Sequence, residues 1–336
     1  MTDRTALANR FLESSGWGNS NRVFLAGDAS ERSYERVWLD GKSAVLMDAP
    51  PGKGDDSATF LRIAAHLRGI GLSAPECLAE DLADGFLLIE DLGDGLFARL
   101  VSGDPKMEMP LYAAAVDTLL HLQRHAAPSG LPNLSASDWA DAAAFVLDWY
   151  RFAITGERVD GTQFRAVLTQ LLSAHADGPR TIVLRDYHAE NLLWLPSRKG
   201  IARVGLLDFQ LAQLGQPAYD LVSLLQDARR DVSLEAEAAM IVRFQEAAGV
   251  NAQEFSSSYA VLGAQRALRI LGIFARLCLV GGKPGYVGLM PRVWRQLQIN
   301  LQNPVLAPLE RLCADLLPQP SAANLALIGD KCARFR

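Results

Sequence analysis

The sequence predicts an α+β fold of two lobes, a small antiparallel-sheet lobe over residues 1–94 and a larger, mostly helical lobe over 95–336. Three observations predict it. Between Asn21 and Pro50 apolar positions alternate with polar ones, as they do in strands. Beyond Gly95 long amphipathic patterns of helical period dominate. Short apolar runs at Thr181–Leu184, Leu192–Leu195 and Val204–Leu207 interrupt those helices as strand-like pieces.

The elements follow in order. An opening helix is expected over about Arg4 to Ser15. The pairs Val23 and Leu25, Val37 and Leu39, and Val45 and Met47 then mark three strands joined by turns. Ser57 to Gly69 reads as a helix burying Phe60, Leu61, Ala64, Ala65 and Leu67. "GFLLIEDLGDG" gives a short strand ending in an acidic turn, and the lobe boundary is placed near Gly93 to Gly95. Helical patterns follow at 108–126, 136–155, 162–176, 219–229, 233–248, 254–280 and 286–317.

Composition bounds the function classes. A chain of 336 residues, 49% hydrophobic and 21% charged, is long enough to bury a sizeable core. No run of eighteen apolar residues occurs, and the start "MTDRTALANRF" lacks the apolar core of a signal peptide, so a cytoplasmic protein without membrane insertion is expected. Cys77, Cys278, Cys313 and Cys332 are scattered without metal-ligand spacing and are expected to be reduced thiols. A net charge of -5 offers no global basic field for nucleic acid.

The chemistry concentrates in "VLRDYHAENLLWL" (183–195) and "VGLLDFQLAQ" (204–213). Asp186 and Asn191 stand five apart between apolar runs, and Asp208 ends a third run seventeen residues after Asn191. In phosphoryl transfer a loop Asp accepts the incoming hydroxyl proton, an Asn five residues on holds one Mg²⁺, and the Asp of a following strand-end turn holds another. Singly, Asp and Asn are ordinary turn residues. Their conjunction in this order is specific.

With these segments the chain resembles the aminoglycoside phosphotransferase and choline kinase superfamily, small-molecule relatives of protein kinases. Within it the resemblance is closest to the cell-wall amino-sugar kinases that phosphorylate the anomeric hydroxyl of N-acetylmuramate and N-acetylglucosamine. "GDASERSYERV" (27–37), "VLMDAPPG" (45–52), "LLDFQLAQLGQPAYDLVSLLQDAR" (206–229) and "LGIFARL" (271–277) carry it over most of the chain. The resemblance implies a bilobal protein kinase-like fold, ATP and Mg²⁺ as cofactors, Asp186 as catalytic base and Asn191 and Asp208 as metal ligands, with Gln210 nearby.

It also implies that Gly27, Ala29, Ser30 and Ser33 belong to a loop covering the ATP phosphates, small residues there letting backbone N–H groups come close. A plain hairpin turn accounts equally for the residues alone. Glu90, Asp91 and Leu92 match the hinge whose backbone binds adenine, or form a simple acidic linker. The sequence departs from protein kinases in one respect. The third strand, Ala44 to Asp48, has no Lys, and the helix Ser57–Gly69 has no Glu to pair with one. Arg32 and Arg62 are the candidate substitutes, with solvated surface arginines as the alternative reading.

Around the loop, Arg185 precedes the proposed base, and Asp220 corresponds to a family Asp that buttresses the catalytic loop; a helix-start carboxylate favoured by the dipole is its simpler role. From Phe255 to Leu309 there is no Asp or Glu, while Arg266, Arg269 and Arg276 recur at helical spacing. Such a stripe suits an acceptor bearing a carboxylate, or is merely a solvated basic face. The expected activity is transfer of the ATP γ-phosphoryl group to a small-molecule hydroxyl, an amino sugar's anomeric one foremost. The expected partner is that small molecule, with neither nucleic acid nor membrane. A kinase of an aminoglycoside, choline or homoserine-like acceptor, or a non-catalytic nucleotide-binding regulator, are the alternatives.

Overall fold

In a computed structural model of the protein, residues 3–27, 32–52 and 56–335 are described. In chain order the elements are α1 (Arg4–Ser14), β1 (Asn21–Gly27), β2 (Ser33–Leu39), β3 (Lys42–Asp48), α2 (Ser57–Gly69), β4 (Cys77–Asp81), β5 (Phe86–Glu90), α3 (Phe97–Gly103) and α4 (Glu108–Gln123). Next come α5 (Ala136–Phe145), α6 (Phe152–Thr155), α7 (Thr162–His175), β6 (Thr181–Val183), β7 (Leu192–Trp194), β8 (Val204–Leu206) and β9 (Gln213–Gly215). The rest is helical: α8 (Tyr219–Leu225), α9 (Leu234–Ala248), α10 (Ala252–Leu279), α11 (Met290–Leu301), α12 (Ala307–Leu316) and α13 (Ala322–Gly329). The expected α+β class is what the structure has.

Packing divides the chain into two compact units, Met1–Pro128 with Ala189–Ala212, and Ser129–His188 with Gln213–Arg336. This partition is not the division at residue 94 drawn from the sequence. The β7–β8 ribbon, late in the chain, is hydrogen-bonded to early segments: Trp194 N donates to Gly95 O at 2.7 Å, Ala98 N to Ala189 O at 3.0 Å and Leu206 N to Ser73 O at 2.8 Å.

The first unit is built on an antiparallel sheet of order β1-β2-β3-β5-β4. The side chain of Asp3 caps α1, accepting from Thr5 N and Ala6 N, and α1 lays Leu7, Ala8, Phe11 and Leu12 against Val37, Ala44, Leu46, Phe86 and Leu88. Strand alternation puts Val45, Met47, Leu87 and Ile89 on the opposite face, where they too are buried. The central strands are therefore near-continuously apolar. Edge strand β1 instead exposes Val23, Phe24 and Leu25. Helix α2 occupies the expected residues with Asp56 as its cap, but its buried face is Phe60, Ile63, Ala64 and Leu67; Leu61 is half-buried and Ala65 exposed. The i, i+3, i+4, i+7 series from Phe60 selects Ile63 rather than its neighbours.

The second unit is organised by α10, buried along most of its length and packed against α5, α7, α8 and α11. Gly272 permits the closest approach, since a Cβ there would stand 2.5 Å from the carbonyl carbon of Phe145. That contact falls where the expected helix 136–155 is interrupted by a π-helical turn, Val146–Arg151. The expected helix 286–317 is likewise broken, because Pro304 lacks an N–H and the Asn303 side chain accepts from Val305 N, starting a new turn. Among the described residues no helix is long and apolar enough to cross a membrane, and all four cysteines are free thiols.

Gly95 holds the β7–β8 ribbon at short range: a Cβ there would lie 2.5 Å from Trp194 O. We expect Gly95→Ala to destabilise the protein by about 2 kcal/mol, since the opposing atom is backbone. A thermal melt unchanged from wild type would contradict this packing.

Candidate active site

The segment 184–191 leaves β6, which pairs with β9, and enters β7, which pairs with β8. In the first unit, the register Leu192↔Leu206 continues one step further, Leu207 N donating to Asn191 O at 3.0 Å. This pairing brings Asn191 beside Asp208, whose Oδ2 accepts from Asn191 Nδ2 at 3.4 Å. Asp208 Oδ1 accepts from the buried Gln210 Nε2 at 2.7 Å. Asp208 has a φ of +56°, a left-handed conformation that Asp tolerates better than most residues. The following Phe209 is fully buried and stacks on Phe60 with ring centroids 5.0 Å apart, anchoring the turn to α2.

Asn191 and Asp208 thus set a side-chain amide beside a carboxylate, the amide nitrogen facing the carboxylate and its oxygen the group that would bind a cation. Hard oxygen donors of this kind, one carboxylate with further positions left to phosphate and water, are what Mg²⁺ takes in nucleotide sites. The donor set fits the ion.

In the second unit the residues before the proposed base form a strained turn. Arg185 has a φ of +72°, and Asp186 N donates to Leu184 O at 2.9 Å, the hydrogen bond of a γ-turn of the rare kind. The turn is held by Asp220, fully buried in the first turn of α8: its Oδ2 accepts from Leu184 N at 2.6 Å and its Oδ1 from Arg185 N at 2.9 Å. Burial pushes the Asp220 carboxyl up to about 7, against the pull of these two N–H donors; Asp186 adds to the rise and Arg266 opposes it. Within the same loop Tyr187 and His188 are buried, and Arg229 Nη1 lies 3.1 Å from His188 Nε2. Burial, then Arg229 and Arg266, hold His188 well below the ordinary histidine range, so the ring is neutral and Nε2 accepts.

Of the other sequence candidates, Ala29 and Ser30 lie outside the described residues. Gly27 ends β1 and Ser33 begins β2, paired with one another. Glu90 is engaged on both sides: its N–H donates to Glu76 O at 2.8 Å, and its carboxylate meets Arg198 and Arg68. Asp91 and Asp94 bind Arg36 of β2 at 2.9 and 3.0 Å, while Leu92 is half-buried. β3 starts at Lys42, but that residue is exposed at the hairpin end, and Ala44 to Met47 carry no cation; Arg32 is buried and Arg62 exposed. The three helix arginines do not share one surface. Arg266 is buried and donates to Gln226 O at 3.1 Å and Ser223 Oγ at 2.9 Å, Arg269 is half-buried, and Arg276 is exposed with its guanidinium 5.8 Å from the Trp149 ring centre. Helical spacing fixed their angle about the axis; neighbouring elements fixed their exposure.

Sequence reading singled out neither Ser223 nor Gln226 nor Asn300. These polar residues lie in segments of helical pattern, and only their burial distinguishes them.

Asp220 gives a pH prediction. Its native carboxyl keeps a proton that an unfolded chain releases near ~3.9, so the native state binds more protons between about 4 and 7, and stability falls as pH rises through that window. Thermal melts across this range are expected to show a shallower decline in Asp220→Asn than in wild type; equal slopes would contradict the raised carboxyl.

The model of the phosphotransferase enzyme family matches residues 22–257. An N-acetylmuramate/N-acetylglucosamine kinase of Caulobacter vibrioides is 39% identical, over 92% of this chain and 95% of its own. One of Pseudomonas aeruginosa is 32% identical over 92% and 93%. Among solved structures, a choline/ethanolamine kinase family protein from Mesorhizobium loti superposes with a TM-score of 0.61 at 16% identity, covering 98% of this chain and 100% of that one. A choline kinase from Streptococcus pneumoniae gives 0.59 at 12%, covering 88% and 99%. Its fold is thus that of the protein kinase-like small-molecule kinases, and the chain belongs to the phosphotransferase enzyme family.

Proposed function

We propose that this enzyme transfers the γ-phosphoryl group of Mg-ATP to the anomeric hydroxyl of N-acetylmuramate or N-acetylglucosamine, in cytoplasmic recycling of cell-wall sugars. The observation that carries the reading is the side-by-side placement of the Asn191 amide and the Asp208 carboxylate at the ends of one two-stranded ribbon. Likeness to the amino-sugar kinases over 92% of the chain supports the acceptor class.

Each residue has one task in this reading. Asp186 accepts the hydroxyl proton and aims the oxygen; an anomeric hydroxyl, more acidic than an ordinary alcohol, eases the demand on it. Asn191 and Asp208 hold Mg²⁺, with Gln210 fixing the Asp208 carboxylate. When bound, the ion neutralises charge on the β- and γ-phosphate oxygens. Arg185 and Asp220 set the loop, Gly27 and Ser33 at the facing ends of β1 and β2 approach phosphate, and the backbone near Glu90 and Leu92 receives the base. For an acceptor carboxylate, Arg269 and Arg276 remain the accessible candidates.

A coupled ADP assay over N-acetylmuramate, N-acetylglucosamine, choline, homoserine and an aminoglycoside, followed by locating phosphate on the product, tests the acceptor; turnover confined to a non-sugar would overturn it. Asp186→Asn is expected to lower kcat by roughly 10²- to 10⁴-fold with Mg-ATP affinity largely kept. Undiminished turnover in that variant would refute the base. Asp208→Asn is expected to weaken Mg-ATP binding by on the order of tenfold or more, and unchanged affinity in titration calorimetry would count against the metal role.

A further inference from the structure

We propose that Ser223 and Arg266 are positioning residues for phosphoryl transfer, holding the Arg185 carbonyl and so fixing the direction in which Asp186 projects. The inference rests on the reading of Asp186 given above. It concerns the peptide unit between Arg185 and Asp186. That unit's N–H is used within the turn, on Leu184 O, and its carbonyl oxygen accepts from Ser223 Oγ at 3.1 Å. Rotating this peptide, about ψ of Arg185 and φ of Asp186, is the movement that would re-aim the Asp186 side chain. Such a rotation breaks both hydrogen bonds at once.

Arg266 decides which way the serine hydroxyl points. A hydroxyl has one proton and two acceptor positions, whereas a guanidinium only donates. With Arg266 Nη2 donating to Ser223 Oγ at 2.9 Å, the serine proton is directed to Arg185 O. Arg266 is itself fixed: Nη1 donates to Gln226 O at 3.1 Å, and the Gln226 side-chain amide exchanges two hydrogen bonds with that of Asn300, at 3.0 and 2.8 Å. Gly263 makes room for the pair, since a Cβ there would lie 2.5 Å from Asn300 Nδ2. A chain of directed hydrogen bonds therefore runs from α11 through α10 and α8 to the residue before the base. Arg266 is 5% exposed, so its guanidinium serves this chain rather than a ligand.

Displacing a reacting group by about 1 Å costs up to roughly 10²-fold in rate. For Ser223→Ala we expect kcat with Mg-ATP and the amino sugar to fall about tenfold or more, while acceptor KM and Mg-ATP affinity stay within about twofold, and Ser223→Thr, which keeps the hydroxyl, to recover most of the rate. Arg266→Met is expected to change kcat in the same direction. Hydrogen exchange at the Leu184, Arg185 and Asp186 amides, measured without substrate, should quicken in Ser223→Ala. An unchanged kcat, or a rise in acceptor KM at constant kcat in Arg266→Met, overturns the proposal. So does a rate loss that comes with equal losses of Mg-ATP affinity and melting temperature, which marks a packing role. If wild-type protein phosphorylates neither sugar, the proposed function fails, and the exchange measurement still decides the clamp: unchanged exchange overturns it.

Discussion

A single buried carboxylate, that of Asp220, holds the turn that precedes Asp186 in the second unit. Asp220 accepts from two consecutive backbone N–H groups, Leu184 and Arg185, and without it the buried Leu184 donor would lose its partner. The turn it stabilises is unfavourable by itself, with a non-glycine residue on the positive side of φ. Strain of about 1–3 kcal/mol persists only where surroundings over-determine the conformation. Here the surroundings are α8, whose first turn supplies Asp220 and whose second supplies Ser223, grasping the turn by its donors and its acceptor.

The first unit meets a different requirement, that of setting the Asn191 amide beside the Asp208 carboxylate, and meets it by strand register. Antiparallel pairing of β7 with β8 leaves Asn191 and Asp208 at neighbouring ends of one ribbon. Asp208 then turns out of the strand through a left-handed residue, while Phe209 plugs into a buried stack on Phe60. An apolar anchor next to an acidic residue locks the carboxylate, because the aromatic ring loses little freedom on burial and the carboxylate inherits its rigidity.

Charge is placed as sparingly. The sheet that would carry a phosphate-binding lysine in a protein kinase is apolar on both faces from Ala44 to Met47, and α2 has no glutamate to meet one. Losing both halves together spares the core an unpaired ion. Cations gather instead around residues 90–94, where Arg36, Arg68 and Arg198 engage Asp91, Asp94 and Glu90. In the second unit Arg266 lies inside the core, satisfied by a carbonyl and a hydroxyl.

What the sequence determined by itself was whatever depends on local spacing. Alternation gave the strands of the sheet, helical periodicity placed α1 and α2, and the intervals from Asp186 to Asn191 to Asp208 pointed to the chemistry. The resemblance carried by those motifs supplied the family. Tertiary structure alone decided what depends on residues distant in the chain. It set which arginines of α10 reach solvent, the grouping of the β7–β8 ribbon with the first unit, and the route from Asn300 through Arg266 and Ser223 to Arg185. The physical reason is that a polar side chain on a helix looks the same in sequence whether it faces water or a partner seventy residues away, and only packing distinguishes the two.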